Sequence, residues 1–274
     1  MSPPAPPKLT IITPSFNQGA YIEQTILSVL SQKYLHVEHI VIDGGSTDST
    51  VDVLKQYPHL LWVSEKDRGQ GDALNKGFAR ATGDIIGWIN SDDYYEEAIF
   101  ESVVECFQDP DVMWAIGNLT YVFDQTNDVI PRKSPVITYE RLVSNPDILR
   151  QQPAFFRKEF IERAGKWNPD YFMAMDFDLW IRLSRLSLPR MADSNWAYFR
   201  HHALQKTSHA NALRQQDEIV AILRRENAPS TTIAAICIRK RWLWMKGLVK
   251  EVLIRLGIIS LKYRSRPIRH KAAR

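Results

Sequence analysis

Four short apolar runs alternate with stretches of helical period through roughly the first ninety residues of the 274-residue chain, and that alternation constrains its fold most. Residues 9–13, 39–42, 60–63 and 84–89 are rich in Ile, Val, Leu and Trp and read as buried strands. Residues 18–32, about 50–56 and about 70–81 read as helices; in the first, Ile22, Ile26, Val29 and Leu30 recur at helical spacing. Parallel strands need a long crossover connection, and a helix in each crossover covers a face of the sheet. The expected architecture is therefore α/β, a mostly parallel sheet flanked by helices.

Each strand runs into a polar loop: Pro14-Ser15-Phe16-Asn17, then 43–50, then 65–71, then Asn90-Ser91-Asp92-Asp93. Ligands of open α/β sheets bind at the carboxyl ends of the strands, so the chemistry is expected there. The Gly-rich loop Asp43-Gly44-Gly45-Ser46-Thr47-Asp48 holds neither a Gly-x-Gly-x-x-Gly fingerprint nor a Gly-Lys-Ser/Thr phosphate loop. Dehydrogenase and P-loop readings fall with them. Asp92-Asp93 is open to two readings: a divalent cation on a nucleotide diphosphate, or the cap of a helix starting near Glu96. Asp176 and Asp178 open a helix expected over 177–186, either as partners of its dipole or as a base aimed into a cleft.

Beyond about residue 110 the rhythm changes to strand-like pieces at 112–116 and 119–123 and a last helix near 212–225. No break in composition separates the halves, so 9–228 reads as one domain with halves 9–110 and 111–228. Hydrophobic residues at 45% and charged residues at 24% exclude wholesale disorder, and two cysteines are too few for a disulfide framework. Residues 1–8, proline-rich without an apolar h-region, are expected to be a disordered lead and not a secretory signal.

Taken in order, Thr13-Pro14-Ser15-Phe16-Asn17, 43–48, Asp67-Arg68-Gly69-Gln70, 87–93 and 175–180 resemble the family 2 inverting glycosyltransferases of the GT-A fold. The resemblance implies transfer of a sugar, with inversion, from a nucleotide diphosphate sugar to an acceptor hydroxyl, assisted by Mn²⁺ or Mg²⁺. By that resemblance Pro14, Ser15, Asn17 and Gly45 line the nucleotide, and Asp43 reads the base, typically uracil. Asp67, Arg68 and Gln70 lie near ribose and diphosphate. Asp93 is the direct metal ligand, with Asp92 on ribose or metal-bound water. Asp176 is the general base; with Met175 in the preceding position, a helper carboxylate is either missing or supplied by Asp178. Gln152 stands on the acceptor side, while Arg200 and His202 approach diphosphate and metal. Trp88 and Trp180 are expected in the core.

Residues 229–274 form a basic tail: from 239 onward twelve lysines and arginines face one acid, Glu251, while residues 1–238 are net acidic. Trp242, Met245, Leu248, Val249, Val252, Leu253, Leu256 and Ile259 share a helical face, but Lys246, Lys250, Glu251 and Arg255 make a spanning helix costly. The tail suits an anionic membrane surface, or packing on a partner subunit; the acidic body offers nucleic acid no continuing basic groove. The expected setting is cytoplasmic, on the inner face of the cell membrane, with a glycan or lipid-linked acceptor. The competing readings are a sugar nucleotidyltransferase, whose Gly-rich basic first loop is missing, and a non-catalytic glycan- or nucleotide-binding protein.

Overall fold

The structure, a computed structural model, describes residues 6–203, 205–206 and 209–255. It divides into two compact units, 1–201 and 202–274. The first unit opens as the alternation demands: β1 (Leu9–Ser15), α1 (Ile22–Leu30), β2 (Val37–Asp43), α2 (Thr50–Leu54), β3 (Leu61–Ser64), α3 (Gln70–Arg80) and β4 (Ile85–Trp88). These strands lie parallel in the order β3-β2-β1-β4. All seven residues of β1 are buried, so this central strand carries almost no polar alternation. Close packing of α3 depends on Gly77, where a Cβ would come within 2.5 Å of Ile12 Cγ2. The first four strands leave a crevice between β1 and β4, where strand order reverses, and the polar loops rim it.

The second half adds β5 (Tyr94–Tyr95), α4 (Phe100–Cys106), β6 (Trp114–Phe123), β7 (Asp128–Arg132), α5 (Tyr139–Ser144), β8 (Ala154–Arg157), α6 (Lys158–Arg163), α7 (Met175–Ser184) and β9 (Arg190–His201). The sheet continues from β4 as β8-β6-β9-β5, with β7 on β6, and nine strands are paired among the described residues. β8 is antiparallel to β4 and β6, and β9 runs parallel to β6. Trp88 stacks on Trp180 at 5.6 Å, and Trp180 on Trp114 at 5.9 Å, which places both expected core tryptophans at the centre of an aromatic layer.

Several expectations change. The two pieces at 112–116 and 119–123 are one strand, β6, whose register with β9 shifts around Gly117; the Trp196 side chain covers that glycine so closely that no Cβ fits. The helix placed at Glu96 starts at Phe100, because Tyr94 and Tyr95 pair with β9. A capping role for Asp92 or Asp93 goes with it. Lys8 is tied to the sheet: its N–H donates to Asp84 Oδ2 at 2.8 Å and its Nζ bridges to Glu38 at 3.1 Å.

In the second unit α8 (His209–Arg225) packs on α9 (Ser230–Arg255), and Asn227, at φ +53°, ends α8 in the left-handed conformation that stops a helix. The two compact units divide at 201/202. No helix of the described residues is long and apolar enough to cross a membrane. Trp242, Trp244 and Met245 are exposed on α9, while the cations from Lys262 onward lie outside the described residues.

Candidate active site

The loops after β1 and β2 are laced into one surface. Asn17, left-handed at φ +52°, donates its N–H to Ser46 Oγ at 2.7 Å and accepts Thr47 N–H on Oδ1 at 2.8 Å. Gly19 N–H reaches Asp48 Oδ2 at 3.0 Å, and Gly44 N–H reaches Ser15 O at 2.8 Å. Ser15 ends β1 directly opposite Asp43, with Pro14 opposite Ile42. Ser15 Oγ is buried without a partner among the described residues.

Asp43 lies beneath this surface, not on it. It is fully buried, and four donors close around its carboxylate: Gly45 N–H (3.2 Å), Ser46 N–H (2.9 Å), Ser46 Oγ (2.5 Å) and Ser64 Oγ (2.6 Å). A carboxylate so engaged holds the loop of Gly45 and joins it to β3. Asp67 lies half-buried over Gly44 and takes Gly69 N–H on Oδ1 at 2.8 Å. Arg68 is exposed and pairs with Asp72 at 3.2 Å on the first turn of α3.

Asp93 is enclosed in the same way. It is 1% exposed; Gln152 Nε2 (2.8 Å) and Asn90 Nδ2 (3.2 Å) donate to Oδ2, and Arg200 N–H (2.9 Å) donates to Oδ1. Burial, and then the neighbouring Asp92, hold its carboxyl well above the usual range, with those three donors acting in opposition. Asn90 Oδ1 in turn accepts from Gln70 Nε2 at 2.6 Å. Gln70, Asn90, Asp93 and Gln152 thus form one chain of hydrogen bonds through three separate motifs, and Asp93 acts as its node. A cation would have to compete with three donors for that carboxylate. Asp92, on the same loop, is half-buried. Among the described residues no three acids, histidines or cysteines form a group that could hold a metal ion.

Across the crevice α3 begins against the segment leading into α7: Gly71 packs on Pro169 and Met175, and Gly69 on the Phe172 ring. Asp176, in the first turn of α7, is half-buried and accepts Phe177 N–H at 2.7 Å. Arg150 lies within electrostatic reach of Asp176; burial opposes its charge, but Tyr121, Asp147 and Asp176 raise its pKa above the ordinary value. Sequence reasoning missed Arg150, whose one signal was its place beside Gln151-Gln152. Asp178 is enclosed too. It is fully buried and holds Arg182 through Nε (3.0 Å) and a terminal nitrogen (2.7 Å), which braces α7.

Arg200 sits over the rings of Tyr21 (5.1 Å) and Tyr94 (5.6 Å) and pairs with Asp124 at 3.9 Å. Its backbone N–H, bonded to Asp93 Oδ1 at 2.9 Å, joins this residue to the acidic loop. His201 stacks on Phe123 at 4.5 Å. His202 is the first residue of the second unit, and its metal role rests on the resemblance alone.

An acidic strand-end loop thus lies at the switch point of a parallel sheet, set against a helix that opens on a carboxylate. Residues 10–182 match Glycosyl transferase family 2, and the chain belongs to that family. An uncharacterized glycosyltransferase of Nostoc is 28% identical over 228 residues, 77% of this chain and 70% of that one. Chondroitin synthase of Escherichia coli is 25% identical over 186 residues, 66% of this chain and 27% of that one. The S. aureus protein TarS, solved with UDP, superposes at a TM-score of 0.60 with 17% identity, covering 78% of this chain and 65% of that one. A mannosyltransferase of Pyrobaculum calidifontis, solved with GDP-mannose and Mn²⁺, gives 0.62 with 19% identity over 95% and 78%. The fold is the expected GT-A fold, and the chain is a glycosyltransferase.

Proposed function

We propose that the protein moves a sugar, with inversion, from a nucleotide diphosphate sugar, most simply a UDP-sugar, to a hydroxyl of a glycan or lipid-linked acceptor. The product is a cell-surface polysaccharide or glycolipid. The observation that carries this is the hydrogen-bonded chain Gln70–Asn90–Asp93–Gln152, which fixes three motif loops around the crevice and leaves Asp92 at its edge. Chondroitin synthase among the relatives supports the polysaccharide class. The UDP and GDP-mannose complexes of the structural neighbours support a nucleotide sugar donor.

In this reading the loops of Ser15, Asn17 and Gly45 hold the nucleoside, and Asp92 holds a Mn²⁺ or Mg²⁺ ion against the diphosphate. The cation supplies charge neutralisation for the leaving diphosphate. Arg200, joined to the acidic loop, adds a fixed positive charge on the same side. Asp176 takes the proton of the acceptor hydroxyl as that oxygen attacks the anomeric carbon from the face opposite the diphosphate, so the centre inverts in one displacement. Gln152 keeps Asp93, and through it the acidic loop, in place. The basic tail would keep the enzyme on the inner membrane surface near a lipid-linked acceptor.

Calorimetric titration of the full chain with UDP, GDP and dTDP, first with Mn²⁺ and then with chelator, tests the reading. Metal-dependent binding of at least one nucleotide is expected. Absence of binding by all three would favour a non-catalytic role.

A further inference from the structure

Arg150, on the loop between α5 and β8, carries a charge that the proposed reaction does not use. It is half-buried, and its Nε donates to Tyr121 Oη at 3.2 Å. Its two terminal nitrogens have no acceptor among the described residues, and they are not sealed from solvent. Asp147 and Asp176 act on the guanidinium through space, but neither forms an ion pair with it. A second guanidinium is gathered on the same tyrosine. Arg132 of β7 lies over the Tyr121 ring at 5.9 Å, and it too has no ion pair among the described residues. Two cations held together on one ring repel each other, and an anion placed against them would relieve that repulsion. Unused polar capacity continues along the chain from Arg150. Gln151 is 6% exposed with neither amide atom partnered among the described residues, and Gln152 Oε1 is buried in the same condition. Buried amide atoms without partners are costly unless a ligand or water completes them.

We propose that Arg150, with Arg132 adding positive charge on the same tyrosine, is the receptor for an anionic group carried by a sugar substrate: a carboxylate or a phosphate. The assignment rests on the glycosyltransferase reading of the same crevice. A guanidinium meets either group in one way, with two parallel N–H donors on two oxygens. Tyr121 engages Nε, which leaves the terminal pair for such a contact. The negative charges of Asp147 and Asp176 would turn an anion away, so Arg150 is what admits one, and a neutral sugar gains nothing from it. The anionic group belongs either to the sugar of the donor or to the acceptor glycan; the recognition chemistry is the same for both.

The test is calorimetry of the full chain in Mn²⁺, on the wild type, Arg150→Gln and Arg150→Lys. One arm compares UDP-glucuronate with UDP-glucose. The other, with UDP bound, compares methyl glucuronide and glycerol phosphate with methyl glucoside. The wild type is expected to favour the anionic ligand by about tenfold or more in one arm, which identifies the source of the group. Arg150→Gln should abolish that preference and Arg150→Lys should keep part of it, since an ammonium retains the charge but not the paired donors. Both variants should still bind UDP and melt within about 2 °C of the wild type. A preference left intact by Arg150→Gln would overturn the assignment, as would a wild type that binds anionic and neutral ligands alike in both arms. A wild type that does not bind UDP would overturn the glycosyltransferase reading itself.

Discussion

Asp176 and Asp178 lie two positions apart on α7, about 200° around the helix, and that angle separates function from architecture. Asp176 is half-buried beside Arg150, whereas Asp178 is sealed under Arg182. Asp176→Asn should lower the transfer rate by about 10²- to 10⁴-fold, the worth of a lost general base, with nucleotide affinity and melting temperature unchanged. Asp178→Ala should do the reverse. It leaves the Arg182 charge without its partner, which costs about 3 kcal/mol and several degrees in Tm, while turnover of the folded fraction stays near wild type. Transfer assays and thermal melts on both variants check the pair, and equal effects would mean that α7 is misassigned. At this scale the motif letters located the acids, but only their hydrogen-bond partners distinguished Asp43 from Asp67, Asp93 from Asp92 and Asp178 from Asp176.

Among the elements, β2 carries a titration built into the sheet. His39 lies opposite Ile11 on β1, its Nε2 within 2.9 Å of Thr13 Oγ1, and burial, helped by the charge of His59, lowers its pKa to about 3. Below pH ~6.5 the unfolded chain binds a proton that the folded one refuses, so stability present at neutral pH is lost as pH falls toward 3. Urea unfolding is expected to show the wild type losing roughly 2 kcal/mol more than His39→Gln between pH 6.5 and 5. Matching curves would remove His39 from the account. The first four strands and three helices were legible because their apolar periodicity is strong. By contrast β9, with exposed Arg190, Asp193 and Ser194, carries little such signal and is a strand because β6 offers it hydrogen bonds.

Over the whole molecule the charge is divided between an acidic body and a basic end. If the tail engages the membrane, the full chain should cosediment with vesicles containing phosphatidylglycerol and not with phosphatidylcholine alone. Binding should fall in 0.5 M salt and on replacing Lys262, Arg264, Arg266, Arg269 and Lys271 with Glu, since each cation near an anionic surface contributes about 1 kcal/mol. Sedimentation indifferent to those charges would turn the tail toward a protein partner. The sequence by itself determined the parallel βαβα frame, the loops that carry chemistry and the family, because hydrophobic period and loop composition are local properties of the chain. Tertiary structure alone decided which carboxylates are spent on donors and which remain to meet a ligand. A carboxylate's role depends on the donors and the burial that other elements bring to it. For Asp93 those donors include Gln152 and the Arg200 backbone, 59 and 107 residues away along the chain.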